Sequence, residues 1–262
     1  MSAIISFRDV GKTFGSGHTA LRGVDLEIEA QRFVALVGPS GCGKSTSLSL
    51  VAGLDHPTSG SVLVRGKPVG GITDRVGFLF QRDALLPWKS VRDNVLLPLQ
   101  LRGVGASEAR ARAAEWIGRV GLRGFEALYP HQLSGGMRKR VALAQTLVYD
   151  PEILLMDEPF SALDVQTRNL MEGELLALWQ GSGKTVIFVT HDLEEAIALA
   201  DEVVVMTAGP ARVKARYEVT LPRPRDIHAV RLLPDFTQLY AAMWNDLRDE
   251  VLESYERART AG

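Results

Sequence analysis

Cysteine is nearly missing from this chain: Cys42 is the single one in 262 residues. That excludes an internal disulfide and suits a reducing compartment. A basic surplus is missing too, since 30 Lys and Arg stand against 31 Asp and Glu, a net charge of −1. Coating nucleic acid needs such a surplus, so the charge balance argues against that task. No apolar run approaches the ~18 residues that cross a bilayer. Met1 to Arg8 lack the charged start and long apolar stretch of a secretory signal. We therefore expect a soluble cytoplasmic protein whose membrane role, if any, comes through a partner. Repeats, low-complexity segments and sustained heptads are also lacking. With 46% hydrophobic and 23% charged residues, the chain reads as one large globular domain, or one domain with appendages.

The first third reads as strands and turns. Val24, Leu26 and Ile28 alternate with Asp25, Glu27 and Glu29, the period of a half-buried strand. Phe33 to Val37 is instead apolar throughout, as in a strand covered on both faces, and it runs into a Gly-rich turn. Ser45 to Ala52 is predicted as a helix closed by Gly53. The middle looks helical. Ser107 is the expected N-cap of an Ala/Arg-rich helix ending near Gly121, and a second helix is predicted from Ser134-Gly135-Gly136 to Asp150, stopped by Pro151. Strands at Ile153 to Met156, Thr185 to Thr190 and Val203 to Thr207 then alternate with helices at Val165 to Gln180 and Leu193 to Ala200. That alternation predicts an α/β fold with a mainly parallel sheet.

Leu221-Pro222-Arg223-Pro224-Arg225 reads as a stiff linker. Beyond it Phe236, Leu239, Tyr240, Met243, Trp244, Leu247, Val251, Leu252 and Tyr255 fall on one helical stripe. The stripe either packs on the protein's own core or forms a regulatory or dimer-contacting extension. Packing is the simpler reading.

Gly38-Pro39-Ser40-Gly41-Cys42-Gly43-Lys44-Ser45 fits G-x-x-x-x-G-K-[ST], continues with Thr46, and lies between a predicted strand and a predicted helix. Glycines let successive N–H groups face a polyphosphate, Lys44 reaches its β/γ oxygens, and the Ser45 hydroxyl ligates Mg²⁺. Cys42 reads as a small filler within this loop. The apolar strand Ile153 to Met156 ends in Asp157-Glu158, and ligands of parallel sheets sit at such strand ends. Asp157 is a candidate Mg²⁺ holder through water, and Glu158 a candidate to polarise an attacking water.

At these residues the chain resembles the ATP-binding cassette (ABC) family, the ATPase subunits of bacterial transporters, over roughly Ser6 to Pro224. Leu133-Ser134-Gly135-Gly136-Met137 is similar to the family signature, Asp157-Glu158-Pro159 to its second nucleotide motif, and Ser161-Ala162-Leu163-Asp164 to the loop that follows. The resemblance implies a P-loop cassette at residues 1–225, with a mainly parallel core sheet, an antiparallel β subdomain and an α-helical subdomain at about 82–150. Residues 226–262 would be a C-terminal helical extension. It further implies Gln81 beside Mg²⁺ and the attacking water, His191 as a switch against the γ-phosphate, and Phe14 stacked on adenine. Cofactors are then ATP and Mg²⁺. Three positions depart from the pattern: Met137 and Lys139 where glutamine is usual, and Gln145 where arginine is frequent. His18, His56, His131 and His228 show no metal-ligand spacing.

Ser134-Gly135-Gly136 opens a predicted helix, and its N–H groups make a second anion site without a lysine. One lysine-bearing cradle and two phosphate-facing helix starts imply a second ATPase subunit, an identical chain in a homodimer or a paralogue, with two ATP molecules sandwiched head to tail. Leu85 to Val95, the Leu-Ser-Gly-Gly-Met form and Leu221 to Arg225 resemble the nitrate/sulfonate/taurine type of importer, to which systems for pyrimidine precursors are related. The partners implied are a permease dimer, met by residues after Gln81 around Trp88, and indirectly a solute-binding protein, but no nucleic acid. The place implied is the cytoplasmic face of the inner (plasma) membrane. An exporter or lipid-trafficking ATPase shares the cassette. A DNA-repair ATPase would separate Lys44 from Asp157 by a long heptad segment. A small-molecule P-loop kinase would lack Leu133 to Gly136, and a non-catalytic scaffold would not need Glu158 or His191.

Overall fold

The structure is a computed structural model and describes residues 3–260. Strand β3 (Phe33–Val37) lies at the centre of a six-stranded sheet, and its continuous apolar run follows from that place. Phe33, Ala35 and Val37 enter the core cluster on one face, while Val34 and Leu36 enter a second cluster on the other. β7 (Ile153–Asp157) and β8 (Thr185–Thr190) split their side chains between the same two clusters. The sheet order is β10-β9-β3-β8-β7-β6, with β6 (Val76–Leu79), β9 (Glu202–Met206) and β10 (Val213–Glu218) completing it. β6, β7, β8, β3 and β9 run parallel, and β10 pairs antiparallel to β9.

A second, four-stranded sheet is antiparallel, in the order β2-β1-β4-β5. It comprises β1 (Ala3–Thr13), β2 (Thr19–Glu29), β4 (Ser59–Val64) and β5 (Lys67–Pro68). In β2 the predicted alternation holds: Val24, Leu26 and Ile28 are buried and pack with helix α1 (Lys44–Ala52) and one face of the large sheet. Between β6 and β7 the chain forms α2 (Val91–Leu101), α3 (Ala106–Arg119) and α4 (Gly135–Leu147). α5 (Val165–Trp179) and α6 (Leu193–Leu199) follow β7 and β8, and α7 (Ile227–Val230) and α8 (Pro234–Thr260) close the chain.

Three local expectations shift. α3 is entered at Gly105, and Ser107 sits inside its first turn. α4 ends at Leu147, because Asp150 takes a left-handed φ of 58° and its N–H turns back to Leu147 O before Pro151 is reached. Leu221 to Arg225 is a packed segment and not a free linker. Leu221 and Arg225 are buried, and Arg223 lies over the Trp179 ring while pairing with Asp201. The C-terminal stripe packs on the core at Phe236, Met243 and Leu247, whereas Leu252 and Tyr255 farther along are exposed.

Candidate functional site

β3 feeds the Gly38–Ser45 turn, and Gly43 is where that turn demands glycine. Its φ is 121°, and a Cβ there would meet Ala20 O at 2.7 Å. α1 starts at the next residue, so the unpaired N–H groups of a helix start lie beside an open cleft of about 350 Å³. The cleft is lined by Ser40, Gly41 and Gly43 to Thr46, by Phe14, His18 and Ala20, and by Gln81 and Glu158. Lys44 is buried, and its Nζ donates to Gly38 O at 2.7 Å and Pro39 O at 2.8 Å. The ammonium is thus satisfied by the loop's own carbonyls, and a polyphosphate must offer it better acceptors. Cys42 is buried beneath the loop, and burial pushes its thiol up, which fits the filler role.

Ser45 Oγ donates to Asp157 Oδ1 at 2.8 Å. Burial, aided by the charge of Glu158, pushes the Asp157 carboxyl above its ordinary value against the Ser45 hydrogen bond. A hydroxyl beside a carboxylate is a hard-oxygen pair that suits Mg²⁺. Among the described residues no group of three or more His, Cys, Asp or Glu could hold a metal ion. An ion at Ser45 and Asp157 would therefore complete its shell with phosphate and water oxygens.

Glu158 follows at the end of β7 with a φ of 42°, a conformation that costs a non-glycine residue about 1–2 kcal/mol. Its neighbours hold it there: the Glu158 N–H donates to Val189 O at 2.9 Å, and Ser161 Oγ donates to Glu158 O at 3.0 Å. The carboxylate gathers two other predicted residues on one oxygen. Gln81 Nε2 donates to Glu158 Oε2 at 3.3 Å, and His191 Nδ1 lies 3.2 Å from the same atom. His191 is delivered by β8 and held in the turn that starts α6. There Asp192 accepts from Glu194 N at 2.9 Å and Glu195 N at 3.2 Å, and Thr190 Oγ1 bonds the buried Glu195 carboxyl.

Phe14 stands in the β1–β2 turn, 38% exposed, with its ring parallel to that of His18 at 6.3 Å between centroids. The Lys12 ammonium sits 5.2 Å from the Phe14 centroid. His18, which shows no metal-ligand spacing in the sequence, lies in the cleft. Its signal was the spacing of four across a tight turn, in which Phe14 N donates to His18 O at 2.8 Å.

Ser134, Gly135, Gly136 and Asp164 are absent from the lining of this cleft. They form a second place of their own. Ser134 is exposed and caps α4 by accepting from Met137 N at 3.3 Å. Asp164 caps α5 by accepting from Thr167 N at 2.9 Å, and the Thr167 amide holds its carboxyl below the usual range. A Cβ on Gly135 would touch Leu163, and one on Gly136 would strike Thr167, so the two caps are neighbours.

The family model for the ABC transporter matches residues 21–161. An ABC transporter ATP-binding protein of Methanocaldococcus jannaschii is 49% identical over 240 residues, covering 92% of this chain and 88% of its own. The taurine import ATP-binding protein TauB of Burkholderia thailandensis is 43% identical over 239 residues, 90% of this chain and 92% of its own. Among solved structures, the ATP-binding cassette MJ0796, as a post-hydrolysis dimer bound to ADP and Pi, aligns with a TM-score of 0.73 at 34% identity. That alignment covers 82% of this chain and 98% of the other.

Proposed function

This chain belongs to the ABC transporter family, as an ATP-hydrolysing ATP-binding subunit, and from that premise we propose that it energises import of a small solute through a partner permease. The cargo class is nitrate, sulfonate, taurine or a pyrimidine precursor, a reading supported by the 43% identity to a taurine import subunit. No helix among the described residues is long and apolar enough to cross a membrane. In this reading the subunit sits on the cytoplasmic face of the inner membrane by binding the permease, and through it works with a solute-binding protein. Trp88, 71% exposed in the loop after Gln81, is the side chain we assign to the permease contact.

The observation that carries the mechanism is the separation of the Lys44 cleft from the Ser134 helix start. Two copies head to tail satisfy both. Phe14 stacks on the adenine of ATP, and the Gly38–Ser45 turn wraps its phosphates. Lys44 turns from the Gly38 and Pro39 carbonyls to the β/γ oxygens. Ser45 and Asp157, with Gln81 nearby, would hold Mg²⁺, which would neutralise charge on the phosphates. Glu158 takes a proton from the attacking water, while Gln81 and His191 fix its carboxylate oxygen. Ser134 to Gly136 and Asp164 close the same nucleotide from the partner subunit. The γ-phosphate is contacted from both sides only in the closed pair, and that difference in contact is the free energy that drives closure.

The test uses Glu158→Gln, which keeps the shape of the carboxylate and removes the base. With ATP and Mg²⁺ it is expected to run as a dimer in size-exclusion chromatography, and Glu158→Gln with Ser134→Arg as a monomer that still binds ATP. A Glu158→Gln protein that stays monomeric under saturating ATP overturns the shared site.

A further inference from the structure

Lys139 has no part in the scheme above, yet it is among the most deeply buried charges of the molecule, 3% exposed on α4. Burying an ammonium is costly unless its three N–H donors are matched. Here one short stretch of chain supplies two backbone carbonyls as acceptors and a carboxylate as counter-charge. Lys139 Nζ donates to Gln81 O at 2.6 Å, lies 3.4 Å from Phe80 O and sits 3.0 Å from Asp83 Oδ1. Arg138, its neighbour on the helix, takes the other oxygen of Asp83 at 3.1 Å and donates to Leu133 O at 2.7 Å. Residues 80–90 form neither helix nor strand. Side-chain bonds of this kind therefore help decide where the segment lies. At the same end, the start of the segment, the Gln81 amide meets Glu158 Oε2 at 3.3 Å.

The contact is a backbone one, so it constrains Gln81 without using its side chain. Lys139 grips the carbonyl, and the Gln81 side chain is left free to reach the carboxylate. Position 139 is also one where the sequence departs from the family pattern. A glutamine there offers one amide donor to the carbonyl but brings no charge to Asp83. The lysine makes a stiffer joint between α4 and the residue that meets Glu158.

We propose that Lys139 is a positioning residue for ATP hydrolysis, holding the Gln81 backbone so that its amide meets Glu158 and tying that amide to the helix that begins at Ser134. The proposal rests on the reading of Gln81 and Glu158 as the pair that handles the attacking water. It links the water-handling side of one subunit's cleft to the helix start that faces the partner's nucleotide.

The experiment measures ATP turnover by the full-length chain with Mg²⁺ over a range of ATP concentrations. Lys139→Met is expected to lower kcat about tenfold, because small displacements of a water-orienting group are costly. KM for ATP should stay within about twofold, since Phe14 and the Lys44 turn are untouched. Lys139→Gln should recover part of the loss. In a Gln81→Ala background Lys139→Met should have no further effect on kcat, as expected of residues that act as a unit. Asp83→Asn loosens the same joint from a more exposed side and carries the same cycle with Gln81→Ala should the lysine variant not fold. Fully additive losses, or a loss confined to KM, overturn the proposal. An inert Lys139→Met beside an impaired Gln81→Ala overturns the lysine's role alone, whereas inert Gln81→Ala and Glu158→Gln overturn the catalytic reading and the proposal with it.

Discussion

Replacing Arg225 with methionine keeps most of a buried side chain's volume and removes every donor it carries. Arg225 is 8% exposed. Nη1 donates to Ile197 O and Ala198 O at 3.2 Å and to Ala200 O at 2.6 Å, and Nη2 to Val219 O and Leu221 O at 3.2 Å. The first three carbonyls belong to the end of α6, where a helix has no N–H donors of its own to offer them. Each carbonyl left without a donor costs about 1–3 kcal/mol. With partial relaxation, three at the low end give a loss of about 3–5 kcal/mol. At about 2–4 °C per kcal/mol for a chain of this size, the melting temperature should fall by roughly 10 °C. Thermal unfolding followed by circular dichroism without nucleotide measures it, and urea unfolding should show a lower midpoint with an unchanged slope. Arg225→Lys should fall between the two, because one ammonium reaches fewer of the carbonyls. A methionine variant melting within about 2 °C of the parent would mean that the end of α6 is satisfied without Arg225, and the reasoning fails.

Two further outcomes follow from the site and its surroundings. Burial pushes Glu195 up to about 8 and Glu172 up to about 7, the latter despite its pairing with Arg231. The folded protein keeps protons that the unfolded chain releases above its ordinary carboxyl pKa of about 4.3, so stability is full below that pH and declines as pH rises toward 8. Glu195→Gln should accordingly match the parent at pH 4 and exceed it at pH 8 by on the order of 2 kcal/mol or more; parallel stability–pH curves would refute the assignment. Phe14→Ala should raise the KM for ATP about tenfold at nearly constant kcat, because a stacking contact made equally in ground and transition states is uniform binding. A change confined to kcat would remove Phe14 from the adenine.

The cradle was legible because its chemistry is local. Gly38, Gly43, Lys44 and Ser45 are fixed by their spacing along the chain, and the apolar strands before Gly38 and Asp157 announce themselves by continuous burial-compatible runs. Helix starts were read well where a side chain caps the helix, as Ser134 and Asp164 do. They were read less well at Gly105, which offers no side-chain cap. The linker reading of Leu221 to Arg225 failed because proline content reports backbone stiffness and not contacts. Arg225 finds its Nη1 acceptors 25 to 28 residues away, beyond any local pattern. A lone histidine has no periodicity, so His18 shows itself only through its spacing from Phe14 across the β1–β2 turn.

The sequence by itself determined the alternation of strand and helix, the phosphate-binding turn and the two carboxylates at the end of β7, since each depends on residues adjacent in the chain. Only the tertiary structure decided that Gln81, Glu158 and His191 converge on one carboxylate oxygen, that Ser134 lies outside the cleft of its own chain, and that Lys139 grips Gln81. Those contacts join residues tens of positions apart. Distance in space between such residues is set by the pairing order of the sheet and by which helix covers which face, and neither is written in any local run of amino acids.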